Sequence, residues 1–108
     1  MMNDEILKDL NEHFQAKARL GIMTILTSIG TSDFTSLKSH LGLSDGNLSS
    51  HLRVLENAGY IKIEKKFIKR KPKTLYQATP LGRKDFLIYL EQLKTIIRIV
   101  EQEENPTT

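Results

Sequence analysis

The sequence contains no cysteine and only three histidines among its 108 residues. The lack of cysteine excludes disulfides, thiolate nucleophiles and every cysteine-based zinc site. The histidines, His13, His40 and His51, are far apart, and only His13 has a metal-binding residue type at helical spacing, namely Asp9. Because a lone pair of this kind is typical of a solvated helix surface, the sequence predicts no metal site and no cofactor, and it does not identify a small-molecule effector.

Long apolar stretches and catalytic motifs are also missing. The longest unbroken apolar run covers only residues 86–90, far short of the roughly 20 residues that a membrane-spanning helix needs. The chain starts with an acidic stretch at residues 3–5, whereas a secretory signal needs a basic stretch followed by an apolar one. No Gly-rich phosphate loop, GxSxG elbow or HExxH motif is present. We therefore expect a cytoplasmic protein that neither spans a membrane nor acts as an enzyme.

Positive charge is concentrated in one short segment. Residues 62–73 contain seven lysines and arginines against the single acid Glu64, so this segment produces the net charge of +3 and leaves the rest of the chain net acidic. A local excess of this size is typical of contact with a polyanion. The alternative is a solvated loop whose lysines keep an edge strand from aggregating.

Helical periodicity dominates the first half of the chain, whose length allows one domain and not two. Leu7, Leu10 and Phe14 repeat at helical spacing, which predicts a short amphipathic helix over about residues 4–14. A broader apolar repeat predicts a core helix over residues 16–29.

Two further helices are predicted on either side of a tight turn. Ser32 or Asp33 can cap the first helix, Ser44 can cap the second, and a short glycine-bearing connection separates the two. This arrangement is a helix–turn–helix signature, and it covers about residues 33–58.

A β-hairpin is predicted over about residues 60–79, because the apolar period changes there from 3.6 residues to 2. Apolar side chains fall on one face of the first strand, namely Ile61, Ile63 and Phe67, and Tyr60, Lys62 and Glu64 fall on the other. The turn is expected within the basic residues 69–73, since Pro72 cannot donate to a strand ladder.

A long helix ends the chain. Thr79 can cap it, Pro80 suits its first position, and it is expected to reach about residue 104. The predicted fold is mainly α with a small β-hairpin (α+β). It is a winged helix–turn–helix with an extra N-terminal helix and a long C-terminal helix, formed by a single domain over residues 1–108.

Three segments resemble a known family in their order and residues. The stretch LGLSDGNLSSHLRVLENAGYI at residues 41–61 is similar to the recognition-helix segment of small bacterial and archaeal winged-helix regulators related to the MarR and ArsR groups. The stretches RLGIMTIL at residues 19–26 and TLYQATPLG at residues 74–82 resemble the flanking segments of those proteins. The resemblance covers about residues 16–100 and implies DNA binding. It departs from metal-sensing ArsR proteins, because the last helix has no histidine and the chain has no cysteine.

The second helix of the helix–turn–helix is the predicted recognition helix. If its leucines face the core, its opposite face is small and polar, and such a face lets the backbone approach the floor of the major groove. Asparagine can pair there with adenine and arginine with guanine. An ordinary surface helix would carry more Glu, Lys and Ala, and His51 is expected to pack on the core shoulder. The predicted DNA contacts on and beside this helix are Lys38, Ser44, Asn47, Ser49, Ser50 and Arg53.

The wing is expected to contact phosphates or the minor groove, where charge and shape matter more than base identity. Its predicted contacts are Lys65, Lys66, Lys69, Arg70, Lys71 and Lys73. Two classes of function remain open: a transcriptional regulator that binds double-stranded DNA, and an interaction module whose basic wing meets an acidic protein or RNA. The base-directed face of the recognition helix favours the first.

The last helix carries a heptad-like apolar seam that is broader than one stripe. One interpretation is that its first half packs on the body and its second half frays. In the regulators that the chain resembles, however, the first and last helices pair across a two-fold axis, which implies a homodimer. The predicted interface consists of Leu7, Leu10, Phe14, Phe86, Leu90, Leu93, Ile97 and Val100.

Overall fold

The computed structural model describes residues 7–104. Within them, four α-helices surround a three-stranded antiparallel sheet. The elements are α1 (Lys17–Ile29), β1 (Thr31–Asp33), α2 (Phe34–Leu41), α3 (Asp45–Asn57), β2 (Ile61–Ile68), β3 (Lys71–Ala78) and α4 (Pro80–Glu104). This is the winged helix–turn–helix fold that the sequence predicts, with α2 and α3 as the helix–turn–helix and β2 and β3 as the wing. None of the helices described is both long enough and apolar enough to cross a membrane.

Side-chain caps define where the helices begin. The Asp33 carboxylate accepts a hydrogen bond from the Ser36 N–H at 2.8 Å, and the Ser44 hydroxyl accepts one from the Asn47 N–H at 3.2 Å. The Thr79 hydroxyl likewise accepts from the Gly82 N–H at 3.0 Å. These bonds satisfy backbone donors that the first helical turn leaves unpaired, so the capping residues recognised in the sequence are confirmed.

The predicted helix over residues 4–14 is not continuous. Its first residues lie outside the part of the chain that is described; Leu7 and Lys8 are helical, and a turn then leads to a 3-10 helix at Glu12–Phe14. The Asn11 side chain accepts a hydrogen bond from the His13 N–H at 2.9 Å. Because asparagine offers the backbone this local alternative, the helix stops early and a new turn starts.

The hydrophobic core lies between α1, α3, the base of the wing and the first half of α4. Phe14 is fully buried there, with ring centroids 5.0 Å from Tyr60, 5.2 Å from Phe86 and 5.5 Å from Tyr89. Phe86 is only 1% exposed. The 3-10 helix inserts Phe14 beneath α4, so two residues predicted for a dimer interface fill the core of their own chain and offer no surface to a partner.

The sheet has one strand more than the sequence predicts. Strand β1 pairs antiparallel with β3 from Thr31↔Gln77 to Asp33↔Leu75, which makes β3 the central strand in the order β1-β3-β2. Three residues without an alternating apolar pattern give no strand signal. Their pairing with β3 depends on α1 and α2, which place them beside the wing.

The hairpin turn is shorter than predicted. Lys69 and Arg70 alone connect the strands, and Pro72 lies in β3 opposite Phe67 rather than in the turn. A proline is tolerated here because β1 reaches only to Leu75 and leaves this edge of β3 open. In a two-residue hairpin the hydrogen bond that closes the turn joins the flanking residues, here Ile68 and Lys71. The next pair, Phe67 and Pro72, is then of the non-hydrogen-bonded kind, so the N–H that Pro72 lacks is not required for pairing with β2.

Candidate nucleic-acid interface

One face of α3 is buried and the opposite face is exposed. Leu48, Leu52 and Leu55 are at most 2% exposed and fix the helix on the core. The side chains predicted to read bases are all exposed to solvent: Asn47, Ser49, Ser50 and Arg53. Since the leucines determine the rotation of the helix, this polar face points away from the body and is available to a ligand.

Two predicted contacts at the start of α3 are already engaged within the chain. The Ser44 hydroxyl caps the helix by accepting from the Asn47 N–H. The Lys38 ammonium lies 2.7 Å from the Asp45 carboxylate, which suits the positive end of the α3 dipole. Both residues remain exposed, but this ion pair offsets the charge of Lys38 and links α2 to α3.

An arginine that sequence reasoning missed orients α3. Arg19 of α1 donates from Nε to the His13 carbonyl at 2.7 Å and from Nη1 to His51 Nδ1 at 3.1 Å. A guanidinium can only donate, so Nδ1 of His51 accepts. His51 is therefore a packing and hydrogen-bonding residue, as predicted. No periodic pattern identifies Arg19, because its partners lie on two other elements.

The six cations of the wing that were predicted to contact DNA fall into two groups. Lys73 lies 3.0 Å from the Asp33 carboxylate and Lys66 lies 3.5 Å from Glu64. The Ser36 N–H bond and then the Lys73 ammonium lower the pKa of the Asp33 carboxyl. The second group makes no ion pair with any residue between 7 and 104 and carries the exposed charge of the tip: Lys65, Lys69, Arg70 and Lys71.

The wing and α3 share one surface. A small groove of about 220 Å³ between them is lined by Arg53 and Glu56 of α3 and by Ile63 and Tyr76 of the wing. Burial, and then the nearby Glu56 carboxylate, raise the pKa of Tyr76. Because side chains alternate along a strand, Lys65 and Phe67 lie on the same face of the wing as Ile63. The exposed face of α3 thus continues onto one face of the hairpin.

The tip of the wing exposes a large apolar side chain. Phe67 lies on the same strand face as Ile61 and Ile63, as predicted, and is 80% exposed. It is exposed because β2 and β3 extend past the core, so no described residue covers it. The turn residues Lys69 and Arg70 have positive φ angles of 52° and 65°, a conformation that β-hairpins usually give to Asn-Gly.

The predicted dimer residues divide along the length of α4. Leu10, Leu90 and Leu93 pack partly buried against the core of their own chain. Ile97 and Val100 are 54% and 49% exposed. They continue the apolar stripe of α4 beyond the point where the body ends. Leu7, at the other end of the predicted interface, is 64% exposed.

Away from α3's polar face, an apolar cleft of about 910 Å³ lies between α1 and the α2–α3 turn. Its lining includes Leu20, Ile25 and Leu43, together with His40 and His51. Among residues 7–104, no three His, Asp or Glu side chains come together as metal ligands would. The basic and polar surface of α3 and the wing is the part of the described molecule best suited to a charged ligand.

Comparison with known sequences gives one family and one curated relative. The family model of a winged helix DNA-binding domain matches residues 18–97. An uncharacterised protein of Methanocaldococcus jannaschii is 33% identical over 88 residues, which cover 82% of this chain and 96% of that protein.

Comparison with solved structures gives the same fold. A transcriptional regulator homologue from Pyrococcus horikoshii OT3 is 34% identical, with a TM-score of 0.80 over 90% of this chain and 94% of its own. A protein from Enterococcus faecalis V583 described as a MarR-family transcriptional regulator is 22% identical, with a TM-score of 0.74 over 96% and 93% of the two chains. The matched family confirms a winged helix DNA-binding domain. Both neighbours share this fold, and both are described as transcriptional regulators rather than enzymes.

Proposed function

The chain belongs to the family of winged helix DNA-binding domains, and on this premise we propose that it is a homodimeric transcriptional regulator that binds a specific duplex sequence. In this proposal α3 enters the major groove and the wing contacts phosphates or the minor groove. One observation carries it: the exposed polar face of α3 shares a groove with the wing, whose tip carries exposed cations. A regulator acts where the chromosome lies, so the proposal also implies a cytoplasmic protein.

The side chains take different roles in this arrangement. Arg53 and Asn47 are the base readers, because bidentate pairing with guanine and adenine distinguishes base pairs in the major groove. Lys65, Lys69, Arg70 and Lys71 contact the backbone, which sets position and salt dependence but not sequence. Lys66 and Lys73 contribute less net charge because Glu64 and Asp33 are close to them.

The base-reading role is tested on duplexes selected from a random pool. Arg53→Ala is expected to weaken binding to the selected site by about 1 to 3 kcal/mol, and binding to random duplex by much less. Arg98→Ala, which removes another exposed arginine, from α4, is the matched control and should change neither. Equal losses on both duplexes would reduce Arg53 to a phosphate contact, and failure to enrich any duplex would contradict the proposed function.

The backbone role of the wing is tested by salt. Replacement of Lys69, Arg70 and Lys71 by alanine should weaken all duplexes alike. It should also flatten the plot of log affinity against log salt by about 0.9 for each phosphate that the variant no longer neutralises. The control removes three exposed cations from α4: Lys84, Lys94 and Arg98. If both variants flatten the plot equally, the wing does not contact the duplex in preference to α4. The salt dependence then reflects only the net charge of the protein.

The proposed dimer rests on the distal half of α4. The protein measures 63 × 23 × 22 Å, and α4 continues past the body with Ile97 and Val100 on the face that bears Phe86 and Leu93 in its first half. A second copy related by a two-fold axis would cover this stripe. Two recognition helices related in that way reach successive major grooves if the half-site centres lie about 10 base pairs apart, so the site should be an inverted repeat.

A further inference from the structure

The wing tip presents an apolar side chain in the midst of positive charge. Phe67 is 80% exposed, more than any other large hydrophobic side chain of residues 7–104; the next are Ile29 at 65% and Leu7 at 64%. A single exposed apolar side chain is common on protein surfaces. The surroundings of Phe67 are what distinguish it.

Phe67 has an apolar partner across the hairpin. It lies opposite Pro72 in the β2–β3 register. In a non-hydrogen-bonded antiparallel pair the two Cβ atoms approach to about 4.5–5.5 Å, so these side chains stand together on one face of the wing. Lys65 lies on the same face, and Lys69 and Arg70 form the turn beyond it. The result is a narrow apolar edge flanked by cations that have no ion-pair partner among the described residues.

This edge points to the side of the molecule that carries α3. Ile63 lines the groove beside Arg53 and Glu56, and Phe67 lies four residues further along the same face of β2, about 13 Å away. That spacing is comparable with the half helical turn, about 17 Å of duplex, which separates a major groove from the next minor groove. A wing that follows the surface of the duplex from α3 thus brings Phe67 to the minor groove.

We propose that Phe67, seated beside Pro72, is an apolar wedge that enters the minor groove next to each half-site and contacts sugars and base edges there. The proposal rests on the proposed function and adds a second way of reading sequence. Inserted apolar side chains partly unstack a base step and bend the duplex, and this costs least at flexible pyrimidine–purine steps. The cations draw the backbone to the tip, while Phe67 makes the affinity depend on the flanking sequence without any hydrogen bond to a base.

The first test compares Phe67→Ala with Ile68→Ala on the selected duplex by fluorescence anisotropy. Ile68 is the adjacent apolar residue, 40% exposed and on the opposite face of β2, so it is the matched control. Phe67→Ala should weaken binding about ten-fold and leave the salt dependence unchanged, since no cation is removed. Phe67→Leu should retain most of the affinity, and Ile68→Ala should bind like the unaltered protein.

The second test measures the flanking step itself. 2-Aminopurine, a fluorescent base analogue, is placed in turn at each position that flanks the site. The unaltered protein should raise the fluorescence of 2-aminopurine at one base step on either side of the site, and Phe67→Ala should not. Replacing that step by a stiff A-tract should weaken the unaltered protein and leave Phe67→Ala unaffected.

The outcomes separate this inference from the proposed function. Equal affinity of Phe67→Ala and the unaltered protein overturns the wedge and leaves DNA binding intact, as do equal losses in Phe67→Ala and Ile68→Ala. A lower molar mass of Phe67→Ala in solution assigns Phe67 to a contact between copies and overturns the wedge as well. If the unaltered protein enriches no duplex, both proposals fail together.

Discussion

Two glycines of this chain show how the lack of a side chain can serve packing in one place and binding in another. A Cβ atom added to Gly82 would lie 2.1 Å from the Tyr60 carbonyl oxygen, where the first turn of α4 crosses the backbone before β2. A Cβ atom added to Gly46, at the start of α3, would meet nothing within 4 Å. The fold therefore requires the first glycine and not the second.

Gly82→Ala is expected to lower the free energy of unfolding by about 3 kcal/mol, because the backbone of α4 or of Tyr60 must move to admit the methyl group. Gly46→Ala is the control and should raise it by about 0.5–1 kcal/mol, since glycine weakens a helix and the site is open. Urea denaturation measures both. Similar stability of Gly82→Ala and the unaltered protein would mean that α4 does not pack closely against the Tyr60 backbone.

The same Gly46→Ala change should cost affinity for DNA. A glycine on the exposed face of α3 lets the helix backbone come close to the groove floor, and a methyl group there holds it away. We expect the selected duplex to bind about ten-fold more weakly although the domain is more stable, as measured by anisotropy under conditions in which the protein stays folded. Unchanged affinity would indicate that α3 contacts the groove through other turns.

Among the elements, the wing combines a structural half and an exposed half. Its base is fixed by β1 and by buried Tyr76 and Ala78. Its tip has non-glycine residues at two positive φ positions, which costs free energy that an Asn-Gly turn would avoid. In exchange for this strain, the turn carries the positive charges of Lys69 and Arg70.

Replacing Lys69-Arg70 by Asn-Gly is therefore expected to stabilise the domain by about 1 kcal/mol and to weaken binding to every duplex. Thermal unfolding followed by circular dichroism gives the first quantity and anisotropy with selected and random duplexes the second. Lys69-Arg70 replaced by Ala-Ala is the matched comparison, because it removes the same charges without relieving the turn. If Asn-Gly were no more stable than Ala-Ala, the turn would not be strained.

The cap of α2 couples the helix–turn–helix to the wing through Asp33. Its folded-state pKa is lowered, first by the Ser36 N–H and then by Lys73, so its contribution to stability is complete above the unfolded-state pKa and is lost as the pH falls through the folded-state pKa. Asp33→Asn retains a capping side chain. On acidification, the free energy of unfolding should fall less for this variant than for the unaltered protein. The difference between the two declines should be about 1 kcal/mol or less. Urea denaturation at several pH values measures this, and an equal decline in Asp33→Asn and the unaltered protein would mean that the Asp33 charge does not stabilise the fold.

Local signals in the sequence predict the elements better than they predict which face each one buries. Asp33, Ser44 and Thr79 mark helix starts because a cap involves only neighbouring residues. Strand β1 gives no such signal, since its pairing depends on β3, far along the chain. The interface role predicted for Phe86 is wrong, and the exposure of Phe67 could not be predicted, for a related reason. Periodicity identifies an apolar face, but the position of the core decides whether that face is covered.

At the scale of the whole molecule, α4 belongs to the body in its first half and projects from it in its second. The sequence shows one continuous seam, and only the position of the core divides it into Phe86, Tyr89 and Leu93 on one side and Ile97 and Val100 on the other. A charged residue at Ile97 should therefore leave the body folded and act on association alone.

Ile97→Glu is expected to convert the proposed dimer to a monomer of 12.4 kDa, because an unpaired carboxylate at an apolar seam that a partner covers costs several kcal/mol. Gln102→Glu introduces the same charge on the opposite, exposed face of α4 and should not change the mass. The molar mass of each variant is measured by light scattering at micromolar concentration, and circular dichroism verifies that each variant is folded. A monomeric unaltered protein, with no doubling on DNA, would falsify both the dimer and the inverted repeat.

Strand β3 is paired on both sides only from Leu75 to Gln77 and has a free edge from there to the tip. The register of the hairpin is thus established at its base, and the residues between Lys66 and Lys73 can change in length or composition without shifting the core. Mutations that remodel this tip therefore change the binding surface and leave the fold intact. Over evolutionary time the tip can diversify while the scaffold stays constant, and an engineer could graft a tip from one homologue onto another as a single cassette.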